Sequence, residues 1–145
     1  MNEALRLDNQ LCFALHAASR AMTGAYQPLL EALEVTYPQY LVLLTLWEED
    51  GARVSRIGER LHLDSATLTP LLKRLEARGL VERRRSAADE RVVEIFLTTK
   101  GKRLERKASE VGKEIFARTC LSMSELARLR EELKALTRRL KDATA

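Results

Sequence analysis

The sequence predicts a mainly α fold with one small β-wing, and three observations predict it. Charged residues make up 32% of the 145-residue chain and aromatic residues only 5%, a balance that suits solvated helices better than a β-sandwich. Apolar residues recur at helical spacing in both terminal thirds. Between them VERRRSAADERVVEIFL sets two β-rich runs around a polar turn, the pattern of a hairpin.

The length suits a single domain over residues 1–145. No stretch approaches the roughly 18 apolar residues of a membrane span. The start, MNEALRLDNQ, lacks the basic opening and apolar run of a secretion signal. A cytoplasmic protein with reduced thiols and no membrane partner is expected. Cys12 and Cys120 are the only cysteines and lie too far apart for metal-ligand spacing, so neither a metal nor another cofactor is expected. The net charge of +4 says less than its distribution. From Lys73 to Arg91 seven basic residues face four acids, a local excess that fits a phosphate backbone as partner.

In chain order, a first helix is expected over about residues 7–24, with Leu11, Leu15, Ala18 and Met22 as its apolar stripe. Cys12 and His16 form a parallel row, because residues four apart share a face. A separate short helix is expected after Tyr26, with Pro28 in its first turn. Thr36 and Gln39 read as a capping box with Pro38 in the first turn. The nearly continuous apolar run from Tyr40 to Trp47 marks a central helix, ended at Asp50 and Gly51. Ser55 is expected to cap a short helix holding Ile57 and Leu61. After the turn LHLD, Asp64 or Ser65 caps a second helix with Leu68, Leu71, Leu72 and Leu75 inside, and Gly79-Leu80 stops it. Two short helices about a tight turn describe a helix-turn-helix. The hairpin that follows, residues 81–85 and 92–97, makes it a winged helix-turn-helix over residues 52–98. A long helix from Thr98 or Thr99 and a capping box, Ser122 to Glu125, lead to the last helix. There Leu126, Leu129, Leu133, Leu136 and Leu140 form a heptad seam that wants a partner helix. Residues 1–35 and 99–145 are therefore expected to build a homodimer interface, packing within one subunit being the plainer alternative.

With these elements in place the chain resembles the MarR family of winged-helix regulators over almost its whole length, through the order of helices and a wing with Asp89 followed two residues later by Arg91. Within that family it most resembles the organic-hydroperoxide-sensing, OhrR-type branch. The residues that carry this are LDNQLCFAL, SRAMT, Tyr26, TYPQYLVLLTLWEE and LDSATLTPLLKRLE. The resemblance implies a redox-sensing repressor in which Cys12 is the reactive cysteine. It implies that Tyr26 and Tyr37 hydrogen-bond Cys12 from the opposing subunit, and that Cys120 is a resolving cysteine that closes an intersubunit disulfide. His16 departs from the pattern, since many members carry tyrosine there.

The chemistry stands beside the resemblance. The thiolate is the nucleophile, and an ordinary thiol, with a pKa of about 8.5, is only a few per cent ionised at neutral pH. A sensor must offer the anion hydrogen-bond donors or positive charge, which Tyr26, Tyr37 and His16 can supply. Leu11, Phe13 and Leu15 would favour an organic hydroperoxide over hydrogen peroxide. On the DNA side, Ser65, Thr67 and Thr69 are expected at base edges or phosphates, with Lys73 and Arg74 on phosphates. Arg91 is expected in the minor groove, oriented by Asp89, and Arg83, Arg84 and Arg85 are candidates for the backbone. The expected partner is double-stranded DNA with a pseudo-palindromic operator, bound in a strongly salt-dependent way. Two rival readings can be set beside it. One is a MarR-type regulator that binds a small aromatic acid, its cysteines passive. The other, a thiol peroxidase, has no support, because no Cys-x-x-Cys, glycine-rich loop or Ser/His/Asp arrangement is present, and no enzyme is expected.

Overall fold

A computed structural model describes residues 1–144. Two 3-10 turns, Glu3–Leu5 and Leu7–Asn9, lead into α1 (Leu11–Glu31), α2 (Tyr37–Glu48), β1 (Ala52–Arg53), α3 (Val54–Leu61), α4 (Ser65–Ala77), β2 (Val81–Arg85), β3 (Val93–Leu97), α5 (Thr99–Thr119) and α6 (Met123–Thr144). These elements form two compact units, Met1–Val111 and Gly112–Ala145.

The first unit holds a winged helix-turn-helix. Its core gathers Leu30, Leu33 and Val35 beside the buried side of α2, then Ile57, the four leucines of α4, and Leu80, Val81, Ile95 and Leu97 from the sheet. The Thr36 hydroxyl accepts the Gln39 N–H, and the Gln39 side chain accepts the Thr36 N–H in return, the expected capping box. The expected separate helix around Pro28 does not form. Instead α1 runs unbroken through Pro28 to Glu31. A proline there removes one backbone bond late in a 21-residue helix, and the buried Leu30 and Leu33 hold the helix past it. The helix also begins later than expected, because residues 3–9 coil as 3-10 turns.

Strand β1 escaped the sequence reading, since two residues carry no periodicity. It follows Gly51, whose φ of +78° only glycine adopts without strain. The Phe96 ring lies where a Gly51 side chain would begin, and the Asp50 carboxylate accepts the Leu97 N–H at 2.8 Å. The sheet order is β1-β3-β2, all antiparallel. Ser55 does not cap α3; Arg53 holds the cap position without a side-chain hydrogen bond. Asp64 caps α4 as expected, its carboxylate accepting the Thr67 N–H at 2.7 Å. Gly79, at φ +72°, closes α4 with the bonds Gly79 N–H to Glu76 and Leu80 N–H to Leu75, a Schellman stop.

The turn between α3 and α4 closes in the same way, with His62 at φ +57° in the place glycine favours. Its bonds run from Leu63 N–H to Gly58 and from His62 N–H to Glu59. A side chain on Gly58 would crowd the Leu63 carbonyl oxygen. His62→Gly removes left-handed strain while loosening the unfolded chain, and is expected to stabilise the protein by about 0.5 kcal/mol. Chemical denaturation measures it, and a destabilised variant would show that the histidine side chain outweighs the strain.

In the second unit α5 ends at Thr119, and Cys120 follows at φ +55°. Ser122 and Glu125 form the expected capping box. No residue of α6 is buried. Of its heptad leucines, Leu126 and Leu136 are half-buried, whereas Leu129, Leu133 and Leu140 are exposed, Leu129 at 47% and Leu140 at 58%.

Candidate functional site: a cysteine seam and a basic wing

Cys12 lies in the first turn of α1 with its thiol free and exposed. Leu11 and Phe13 beside it are also exposed, and Leu15 is half-buried. Counted along α1, Cys12, His16, Ser19, Thr23 and Tyr26 step by four, three, four and three, which places them on one face. Small side chains occupy the middle of that seam, and the Thr23 hydroxyl is turned back onto the Ser19 carbonyl. No part of the first unit covers the seam at Cys12 and His16, both exposed.

At its far end the seam meets three packed tyrosines. Tyr26 lies 5.3 Å from Tyr37 and 5.6 Å from Tyr40, measured between ring centroids. Tyr40 in turn meets the edge of Trp47 at 6.4 Å, whose indole N–H donates to the Gly101 carbonyl. Burial pushes the Tyr26 hydroxyl from its ordinary 10.0 up to about 12, helped by Tyr40 and Tyr37. Burial raises Tyr37 and Tyr40 as well. These hydroxyls therefore stay protonated, as O–H donors, throughout the neutral range. Tyr40, on the buried side of α2, was not singled out by its residue type; only its place in the apolar run hinted at it.

The structure brings Tyr26 and Tyr37 together and keeps both from Cys12 of their own chain. Fourteen residues of helix separate Cys12 from Tyr26, roughly 21 Å at 1.5 Å per residue. Beside the tyrosines an open cleft of about 550 Å³ runs between α1 and the start of α2, with Arg20, Glu31 and Tyr37 on its walls. Cys120 is free and exposed in the second unit.

The other candidate surface is the helix-turn-helix and wing. Ser65 and Thr67 are exposed on the first turn of α4, and Thr69 is half-buried one turn on. Lys73 and Arg74 are exposed further along the helix. The backbone and side chain of Thr67 hold the Asp64 carboxyl below its usual range. On the sheet, Arg84 pairs with Glu82 at 2.7 Å and lies over the Phe96 ring. Arg83 and Arg85 point to the opposite face. Arg85 donates to the Glu90 carbonyl across the wing turn. At the tip the Asp89 carboxylate accepts three bonds from Arg91, one from its backbone N–H and two from its guanidinium. Arg91 nevertheless extends into solvent, its side chain 92% exposed. Among the described residues no helix is long and apolar enough to cross a membrane, and no cluster could hold a metal.

A sequence model of the SarA/Rot transcriptional regulators matches residues 25–108. The organic hydroperoxide resistance transcriptional regulator of Bacillus subtilis is 49% identical over 132 residues, covering 91% of this chain and 90% of its own. The structure is similar to that of AbfR, a Staphylococcus epidermidis protein, in three described states. Reduced AbfR bound to DNA superimposes with a TM-score of 0.82 at 39% identity, covering 99% of each chain. Overoxidised AbfR bound to DNA gives 0.76 at 42% identity over 95% and 97%. AbfR with its disulfide formed gives 0.67 at 41% identity over 93% and 95%.

Proposed function

This chain belongs to the SarA/Rot family of transcriptional regulators and is a MarR-type regulator related to the organic hydroperoxide resistance regulator, and from that premise we propose how it works. It is a homodimeric repressor that binds a pseudo-palindromic operator and releases it when Cys12 is oxidised by an organic hydroperoxide. One observation carries the reading: Cys12 sits on an exposed helix face that bears Tyr26 about four turns away, packed there against Tyr37 of α2. Two copies of α1 crossing antiparallel near Ser19 bring each Cys12 to the partner's Tyr26 and Tyr37. Such an isologous contact pairs position 12 with position 26 twice over. The small residues in mid-seam let the helices approach.

In that setting each tyrosine O–H donates to the Cys12 thiolate and favours the anion over the thiol. The thiolate attacks the distal peroxide oxygen. The O–O bond breaks, the cysteine becomes a sulfenic acid, and after proton uptake an alcohol leaves. The thiol of Cys120 from the partner then attacks the sulfenic sulfur, giving an intersubunit disulfide and water. A disulfide demands Cα atoms within about 7 Å, so its closure displaces the helices that carry the two wings. Both reduced and overoxidised AbfR are described bound to DNA. That supports assigning release here to the disulfide rather than to oxidation alone.

Tyr26→Phe removes a donor and leaves the ring packing. It is expected to slow alkylation of Cys12 at neutral pH about fivefold, the effect of one lost hydrogen bond, and an unchanged rate would take the tyrosines out of the mechanism. The reading as a whole is tested by operator titration with and without cumene hydroperoxide. A second reading rests on the cleft beside Tyr37, where Arg20 and an aromatic ring suit a small aromatic carboxylate. Release by such an acid in the Cys12→Ser protein would favour it.

A further inference from the structure

We propose that the first unit carries a second ligand site, a cleft for a compact multivalent oxyanion at the rear of the helix-turn-helix. The cleft, about 220 Å³, opens where the turn after α1, the end of α4, the foot of β2 and the first half of α5 meet. Leu33, Leu80 and Leu104 form its apolar floor. Four cations converge on it: Arg78, Lys100, Arg103 and Lys107.

The charges inside the cleft do not balance. Glu34 is its only carboxylate, and it meets Arg78 at 3.5 Å while remaining 79% exposed. Lys100 is turned onto the Arg78 carbonyl. Arg103 and Lys107, one helical turn apart, have no hydrogen-bond or ion-pair partner among the described residues. Their position makes the imbalance sharper. The N-terminal turns of a helix favour acids and disfavour cations, yet the first turn of α5 holds no acid, and Lys100, Lys102, Arg103, Arg106 and Lys107 all fall within its first nine residues. A bound oxyanion relieves that repulsion, and the paired guanidinium groups suit the oxygens of a phosphate or a carboxylate.

The operator is not what fills the cleft. Arg78 stands one full length of α4 from Ser65, roughly 20 Å from the end that reads the groove. Leu80 likewise marks the foot of the wing, a whole strand from its tip. The cleft therefore joins the rear of both reading elements to α5 and the turn after α1. A volume of this size admits a few linked oxyanion groups, which favours a small di- or trivalent anion over a macromolecule.

Isothermal titration of the full-length reduced protein with pyrophosphate and with citrate, at fixed ionic strength, tests this and separates phosphorylated from polycarboxylate ligands. One anion per chain is expected for at least one probe, with monovalent benzoate bound at least tenfold more weakly. The double variant Arg103→Ala/Lys107→Ala should lose at least tenfold in affinity. Lys102→Ala/Arg106→Ala, which removes two charges of the same helix outside the cleft, should bind as wild type. Glu34→Gln, which removes the internal competitor, should bind severalfold more tightly. Equal losses in the two double variants would reduce the effect to net charge and overturn the proposal, as would no binding of either probe at millimolar concentration. Weaker operator binding by Arg103→Ala/Lys107→Ala, with a shallower salt slope, would make the cleft a DNA-backbone contact and overturn it too.

Discussion

Cys12→Ser is expected to bind operator DNA as tightly as wild type and to keep that affinity through a hydroperoxide challenge that empties the wild-type complex. The thiol is exposed in the chain, so removing it is expected to leave stability within about 0.5 kcal/mol. A serine hydroxyl is not oxidised by peroxides, and the first covalent step has nowhere to occur. The effect is large because the switch it removes is large. Shifting a complex from mostly competent to mostly incompetent takes about 5.5 kcal/mol, which in the proposed mechanism a single S–S bond supplies. Cys120→Ser separates the two steps. It is expected to consume one peroxide equivalent at Cys12 and hold its DNA, because in the proposed mechanism only the disulfide draws the subunits out of register. A gel-shift or anisotropy titration of the three proteins, reduced and oxidised, reads all of this. Release of DNA by oxidised Cys12→Ser would remove the cysteine from the mechanism. Release by oxidised Cys120→Ser would place the switch at the sulfenic acid itself.

The sequence was legible where local chemistry determines structure. Thr36 with Gln39, Asp64, Gly79 and Ser122 with Glu125 each terminate a helix through bonds among near neighbours, and such motifs can be read from spacing. Pro28 was misread because its local preference, a helix start, is overridden by the burial of Leu30 and Leu33. Strand β1 was missed because it exists only through the partner strand it pairs with, Ala52 to Ile95 and Arg53 to Glu94. His62 and Cys120 hold left-handed positions that no residue preference announces. The basic run over residues 83–85 was legible as charge but not as direction, since strand register sends Arg84 to the Phe96 face and its neighbours away from it. At the cysteine site the limit is geometric. Cys12 and Tyr26 share a face of one helix yet cannot meet within a chain, so the proposed site requires a second copy of the chain. The resemblance to OhrR-type regulators implies such an arrangement; spacing alone does not.

Arg91→Ala is expected to weaken operator binding about a hundredfold while leaving the melting temperature unchanged. The two halves of that expectation have separate grounds. For stability, the Asp89–Arg91 pair is an exposed contact at 3.2 Å, and such pairs contribute little to folding. For binding, the wing tip is built to hold a cation outward. The Arg91 side chain, and then its backbone N–H, hold the Asp89 carboxyl below the usual carboxylate range, so Asp89 stays ionised at neutral pH and keeps the guanidinium aligned. Ordering the arginine before DNA arrives lowers the entropy lost on docking. A minor-groove contact of this kind contributes about 1.4 kcal/mol, or tenfold, and a two-fold dimer loses it twice. The salt dependence should also shallow by about one unit per wing, because each lost arginine releases fewer counterions. Asp89→Asn retains the arginine and one acceptor oxygen but not the ion pair, and should fall between wild type and Arg91→Ala. Filter-binding titrations over a range of salt concentrations measure both affinity and slope. An Arg91→Ala protein with wild-type affinity and an unchanged slope would show that the wing tip does not touch the duplex, and that recognition rests on α4 alone.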